Sequence, residues 1–105
     1  MDFKTISDKA IEIRQKYHQL ESKNGHVWTN QEIMEGFVGD VGDLMKLVMA
    51  KEGVRKIDDV DEKLSHELCD CLWCVLVLAH KYGINLETEF VEKMNELDNR
   101  ISSEL

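Results

Sequence analysis

Not one proline interrupts the 105 residues, and apolar side chains recur along most of the chain at intervals of three and four. Proline is the strongest helix breaker, so its absence leaves helices free to run long. Six glycines and a hydrophobic share of 43% add few other breakers and enough apolar surface for a core. This balance favours long helices over disorder or a turn-rich β fold. The length suits one domain spanning residues 1–105, which should bury about two-thirds of the surface its unfolded form exposes. There is no room for separate catalytic and binding domains.

Ile6, Ala10, Ile13, Tyr17 and Leu20 mark an amphipathic helix over about 5–22, capped by Thr5 or Ser7 and ended by the turn signal Asn24-Gly25. Asn30 is the expected cap of a second helix to about Lys51, with Ile33, Phe37, Val41, Leu44 and Val48 as one stripe, widened by Met34, Val38 and Met45. Gly36, Gly39 and Gly42 lie inside it. Each costs about 1 kcal/mol relative to alanine, so their spacing predicts a helix or ligand close against that side. After a polar loop from Glu52 to Asp61, the most apolar helix runs from about Glu62 to Tyr82, with Gly83 at its C′ position. Its middle is apolar nearly all round, as in a central, buried helix. Asn85 caps a fourth helix to about Ser102, with Leu86, Phe90, Met94 and Leu97 on its inner face. Short connections and no internal repeat predict an all-α four-helix bundle.

The formal charge is −8, and the cations are scattered, which argues against a nucleic-acid groove. An acidic chain still binds an anionic substrate when divalent cations invert the local charge. The first residues do not read as a secretory signal, and the longest apolar run, Leu72 to Ala79, is too short for a membrane span. Cys69, Cys71 and Cys74 crowd one segment, without the spaced pairs of a disulfide framework or zinc ribbon. The expectation is a cytoplasmic protein with free thiols packed as small core residues.

Two acid pairs stand out, Asp40 with Asp43 on the second helix and Glu67 with Asp70 on the third. Spacing i, i+3 puts each pair on one helical face. If the two helices pack antiparallel, the pairs can present four carboxylates to one point. Two like charges about 4 Å apart repel by about 4 kcal/mol at an effective dielectric of about 20, so four cannot converge without a cation. Mg²⁺, held by carboxylates, waters and substrate phosphates, meets that need. Acids at this spacing are also common on solvated faces. Asp70 is different: it lies between Cys69 and Cys71 among almost wholly apolar neighbours, where an unpaired carboxylate is expensive to bury.

The strings Phe37-Val38-Gly39-Asp40-Val41-Gly42-Asp43-Leu44 and Leu64-Ser65-His66-Glu67-Leu68-Cys69-Asp70-Cys71-Leu72 resemble the two halves of the ExxE…ExxD signature of MazG-like pyrophosphohydrolases. These belong to the all-α NTP pyrophosphatases, with dCTP pyrophosphatases and dimeric dUTPases. The segment Tyr82-Gly83-Ile84-Asn85-Leu86-Glu87 and the later Lys93-Met94-Asn95 are similar too, so the resemblance covers about 28–101. One departure is that the first tetrad is DxxD, whose shorter side chains would draw a metal toward the second helix.

The resemblance implies Mg²⁺, with Mn²⁺ as an alternative, bridging Asp40, Asp43, Glu67 and Asp70 to the phosphates of a nucleoside triphosphate. A water activated by the ions then attacks the α-phosphorus and releases pyrophosphate. It assigns a phosphate contact to Lys93, which Arg100 and Asn95 or Asn99 are placed to assist, while Lys46 and Lys51 flank the first tetrad. It also points to Trp28 as a base contact; His26, close by, is expected to hydrogen-bond the base or sugar, and Trp73, one turn beyond Asp70, to line the same pocket. The implied role is housecleaning of the nucleotide pool. The alternatives are a degenerate homologue that binds metal or nucleotide as a non-catalytic oligomer, which the DxxD departure keeps open, and a phosphoribosyl-ATP pyrophosphohydrolase. Relatives assemble as homodimers or homotetramers with the pocket near the subunit interface, so the same is expected here, with no membrane or nucleic-acid partner.

Overall fold

The computed structural model describes residues 1–105, and every regular element in it is a helix. The four are α1 (Phe3–Lys23), α2 (Asn30–Lys51), α3 (Val60–Lys81) and α4 (Leu86–Ser102). Their number, order and approximate bounds agree with the periodicity of the sequence.

Two caps differ from expectation. Asp2 caps α1, because its carboxylate accepts both the Thr5 amide at 2.8 Å and the Thr5 hydroxyl at 2.6 Å. Thr5 and Ser7 therefore lie inside the helix. Thr29, not Asn30, caps α2: its hydroxyl accepts the Glu32 amide at 3.1 Å, and Glu32 accepts the Thr29 amide at 3.0 Å. This reciprocal box satisfies two helix-end donors at once. Asn85 caps α4 as expected, accepting the Thr88 amide at 3.2 Å.

The two ends of α3 are built differently. At its C-terminus, Gly83 takes φ 66, its amide reaches the His80 carbonyl at 3.1 Å, and the Ile84 amide reaches Ala79 at 2.9 Å. These bonds satisfy the last carbonyls. At its N-terminus, Asp59 is left-handed with φ 54 and makes no side-chain capping bond.

α3 is central, as expected, with α2 along one side and α1 along another. Ile33 and Leu47 of α2 and Leu76, Val77 and Ala79 of α3 form the buried apolar core. The expectation that α3 is buried all round does not hold. Its buried residues, Leu76, Val77 and Ala79, lie in its last two turns, whereas Leu68, Leu72 and Val75 are exposed. Of the three glycines of α2, only Gly36 is closely approached: a β-carbon there would lie 3.3 Å from the Trp28 ring, whereas Gly39 and Gly42 face open space. Residues three apart drift by about 60° around a helix, so the three do not share one line of approach.

The fourth helix departs most from the expected bundle. It has no buried residue, and Phe90, Met94 and Leu97, expected on an inner face, are exposed. It packs only slightly on the other helices, and the radius of gyration is 17.0 Å, against about 13 Å for a compact chain of this length. Within one chain the compact unit is therefore α1–α3, with α4 extending from it.

Candidate functional site

Packing α2 on α3 brings Asp40 together with Glu67 and Asp70. One oxygen from each of these carboxylates lies within 4.8 Å of the others, and all three side chains are half-buried. Asp43 stands outside this group, with its carboxylate largely exposed and 3.9 Å from the Lys46 ammonium. It remains close enough for its charge to act on Glu67.

The three acids repel one another, and Glu67 registers the effect. Partial burial pushes its carboxyl above the usual range, and the charges of Asp40 and Asp70 push it further. Asp70 has the His66 imidazole as a neighbour, at 3.3 Å. Cys74 donates its thiol proton to Asp40 across 3.8 Å. Burial, reinforced by Asp40, pushes the Cys74 thiol up to about 11, so it stays protonated at neutral pH. All three cysteines are free, and Cys71 is shifted upward for the same reasons. Cys71 and Cys74 are half-buried in the packing, whereas Cys69 is exposed. Neither Cys71 nor Cys74 is poised as a thiolate in this setting.

The acids lie between two cavities. The first, of about 430 Å³, is lined by Asp40, Asp70 and His66 at one end and by Trp28, Trp73 and Tyr17 elsewhere, with Gly36 on its wall. The second, of about 560 Å³, borders Glu67 and Asp43 and carries Lys46 and Lys63. His66 lines both.

Both tryptophans named from the sequence thus meet at one cavity next to the acids. His26 does not line it. Its imidazole sits 2.8 Å from Glu32, in the carboxylate that closes the α2 cap. Lys93, Asn95 and Arg100 are exposed on α4 and line neither cavity. Lys51 is engaged with Asp61 at 2.6 Å.

The sequence reading missed two contributors from α1. Tyr17 is only one more apolar position of a helical stripe, yet its ring meets Trp73 at a centroid distance of 5.6 Å and a tilt of 47°. Arg14 also lines the aromatic cavity. Its signal was present in the sequence, as a cation three residues before Tyr17 and one beyond Ile13 in the apolar stripe, on the margin of the face that packs.

An oxygen-donor cluster flanked by an aromatic cavity can bind a hard cation together with a ligand that has both an anionic and a flat aromatic part. No known family model matches the chain, and no curated protein and no solved structure matches it either.

Proposed function

We propose that the chain is a divalent-cation-dependent nucleoside triphosphate pyrophosphohydrolase of the MazG-like kind, cleaving (d)NTP to (d)NMP and pyrophosphate in the nucleotide pool of a reducing compartment such as the cytoplasm. One observation carries the proposal: carboxylates from two helices converge directly beside a cavity walled by Trp28, Trp73 and Tyr17. The donors fit Mg²⁺ or Mn²⁺, since Asp40, Glu67 and Asp70 offer only oxygen and the adjacent Cys74 keeps its proton.

A cation bound there would neutralise phosphate charge and lower the pKa of the attacking water. The chain's own residues do the rest. Asp40, Glu67 and Asp70 hold the cation, and Asp43 stands at the rim to receive a second ion or an ordered water. Trp28, Trp73 and Tyr17 offer faces and edges on which a base stacks. His66 orients the Asp70 carboxylate. In this proposal Lys46 and Lys63, on the Glu67 side, take the phosphate contacts expected of Lys93, Asn95 and Arg100.

A second copy of the chain is part of the same proposal. Met34, Val38, Val41, Met45 and Val48 form an exposed stripe on α2, and Phe90, Met94, Leu97 and Ile101 form another on α4. Each repeats at alternating steps of four and three, the spacing that seats one helix on another. Stripes of this length are rarely left bare on a monomer, so a homodimer or homotetramer is expected. No helix is long and apolar enough to cross a membrane.

The test is pyrophosphate release from a panel of NTPs, dNTPs and phosphoribosyl-ATP with Mg²⁺, beside Asp40→Asn and Asp70→Asn. Turnover in the wild type, reduced by about 100-fold or more in both variants, would support the proposal. Nucleotide binding without turnover in a folded protein would favour the non-catalytic homologue, a reading to which the displacement of Asp43 from the cluster lends some weight.

A further inference from the structure

Arg14 is the only charged residue that is buried, at 9% exposure. It forks onto Glu21, Nη1 to Oε2 and Nη2 to Oε1, both at 2.8 Å. Removing two charges from water offsets most of what their attraction returns, and apolar side chains of similar size often hold a fold equally well. The pair therefore calls for a role other than holding α1 in place.

Its geometry supplies one. The Glu21 oxygen that accepts Arg14 Nη2 also accepts the backbone amide of Trp28, at 2.9 Å. Trp28 lies in the short connection between α1 and α2, and this bond ties that connection to the last turn of α1. The opposite wall is tied to the same helix: the Trp73 indole N–H donates to the Ala10 carbonyl at 2.9 Å, and its ring packs on Tyr17. Neither tryptophan belongs to α1, yet α1 holds both. Gly36 completes the arrangement, since a side chain there would meet the Trp28 ring at 3.3 Å.

We infer that Glu21, clamped by Arg14, is a positioning residue that holds Trp28 in register with Trp73 and so sets the affinity of the aromatic cavity for a nucleobase. The inference rests on the nucleotide reading of the site. Glu21 does not line the cavity, so its influence on the ligand passes through the two lining residues it holds, Trp28 and Arg14, and the Trp28 readout separates the two routes. An apolar replacement for the pair would keep α1 packed and lose this control.

The chain has two tryptophans, so Trp73→Phe makes Trp28 the only one. In that background Glu21→Gln removes the charge that grips Arg14, and Arg14→Lys keeps the charge but loses the fork. Trp28 is already 45% exposed, so both variants should shift its emission to longer wavelength and raise its acrylamide quenching above the parent level, with helical circular dichroism unchanged. With Trp73 intact, Glu21→Gln should raise KM for Mg-nucleotide by about tenfold and leave kcat within about twofold, the pattern of lost ligand binding. Unmoved Trp28 emission in both variants would overturn the inference, as would a fall in kcat at constant KM. If Glu21→Gln does not fold, the Trp28 emission and quenching of Arg14→Lys decide alone, because Arg14 lines the cavity and the KM of that variant can change directly. If the wild type binds no nucleotide, the functional proposal and the affinity claim fall together, while the quenching arm still decides whether α1 holds Trp28.

Discussion

The first and last helices carry nearly the same message in sequence and differ in how far the fold answers it. Ile6, Ala10, Ile13, Tyr17 and Leu20 on α1, and Leu86, Phe90, Met94, Leu97 and Ile101 on α4, are apolar stripes of matching spacing. The α1 stripe lies against α3, where it meets Trp73 and Leu76, although Ile6, Tyr17 and Leu20 keep an exposed edge. Beyond Leu86, which borders α1 and α3, the α4 stripe meets almost nothing in its own chain, and Phe90 is 58% exposed. An amphipathic period specifies that a face will be covered and does not say by which surface. The junctions decide that. The α1–α2 connection is tied back to α1 through Glu21, whereas the turn at Gly83 directs α4 away from the α1–α3 unit.

The contrast can be broken most forcefully at the α1–α3 contact. Leu76 is 5% exposed beneath α1, so Leu76→Ala should cost about 2–5 kcal/mol in urea unfolding. A loss below about 1 kcal/mol would mean that α1 is as loosely seated as α4. For α4, Phe90→Asp with Leu97→Asp should leave helical content and the unfolding of the α1–α3 unit largely unchanged while lowering the mass in light scattering to that of a monomer. If wild type and variant are both monomeric, no second copy covers the α4 stripe.

A smaller effect sharpens the account of α1. The Arg14 guanidinium holds the Glu21 carboxyl below its ordinary range. A carboxylate whose pKa is lowered in the folded state adds stability at pH above its unfolded value of about 4.3, and that stability is lost as pH falls through the folded value. Glu21→Gln should cost about 1–3 kcal/mol at neutral pH. The gap between wild type and variant should close on acidification, and a gap independent of pH would exclude the ion pair as its source. Smallest of all, Gly39 faces open space, so Gly39→Ala should stabilise α2 by up to about 1 kcal/mol. Loss of self-association in that variant would show that a second copy lies against Gly39.

Much of this was legible in the residues. Asp70 could be singled out because a lone carboxylate in an apolar helix needs a reason, and it does fall in the cluster with Asp40 and Glu67. Gly83 and Asn85 mark the α3–α4 junction through backbone preferences that act locally. Asp43 shows where spacing stops short. It shares a face with Asp40 to within about 60°, enough to lie near Glu67 and not enough to join the group. Tyr17, Arg14 and Glu21 were not found because their roles depend on which helix lies across from them. The Thr29 box was legible, as a threonine followed three residues later by glutamate, and was passed over for the adjacent Asn30.

The unequal ends of α3 determine where the site can breathe. The last turn is closed by hydrogen bonds around Gly83, whereas the first turn follows a left-handed Asp59 with no side-chain cap. Opening should therefore start at residue 60 and spread toward Glu67, with Leu76 and Val77 yielding last. Deuterium should enter the first two turns of α3 long before its final two, on the scale of local fluctuations that leave the rest of the protein folded. Glu67 stands just beyond those turns. Of the three converging acids, it is the one whose distance from the others such opening should change first.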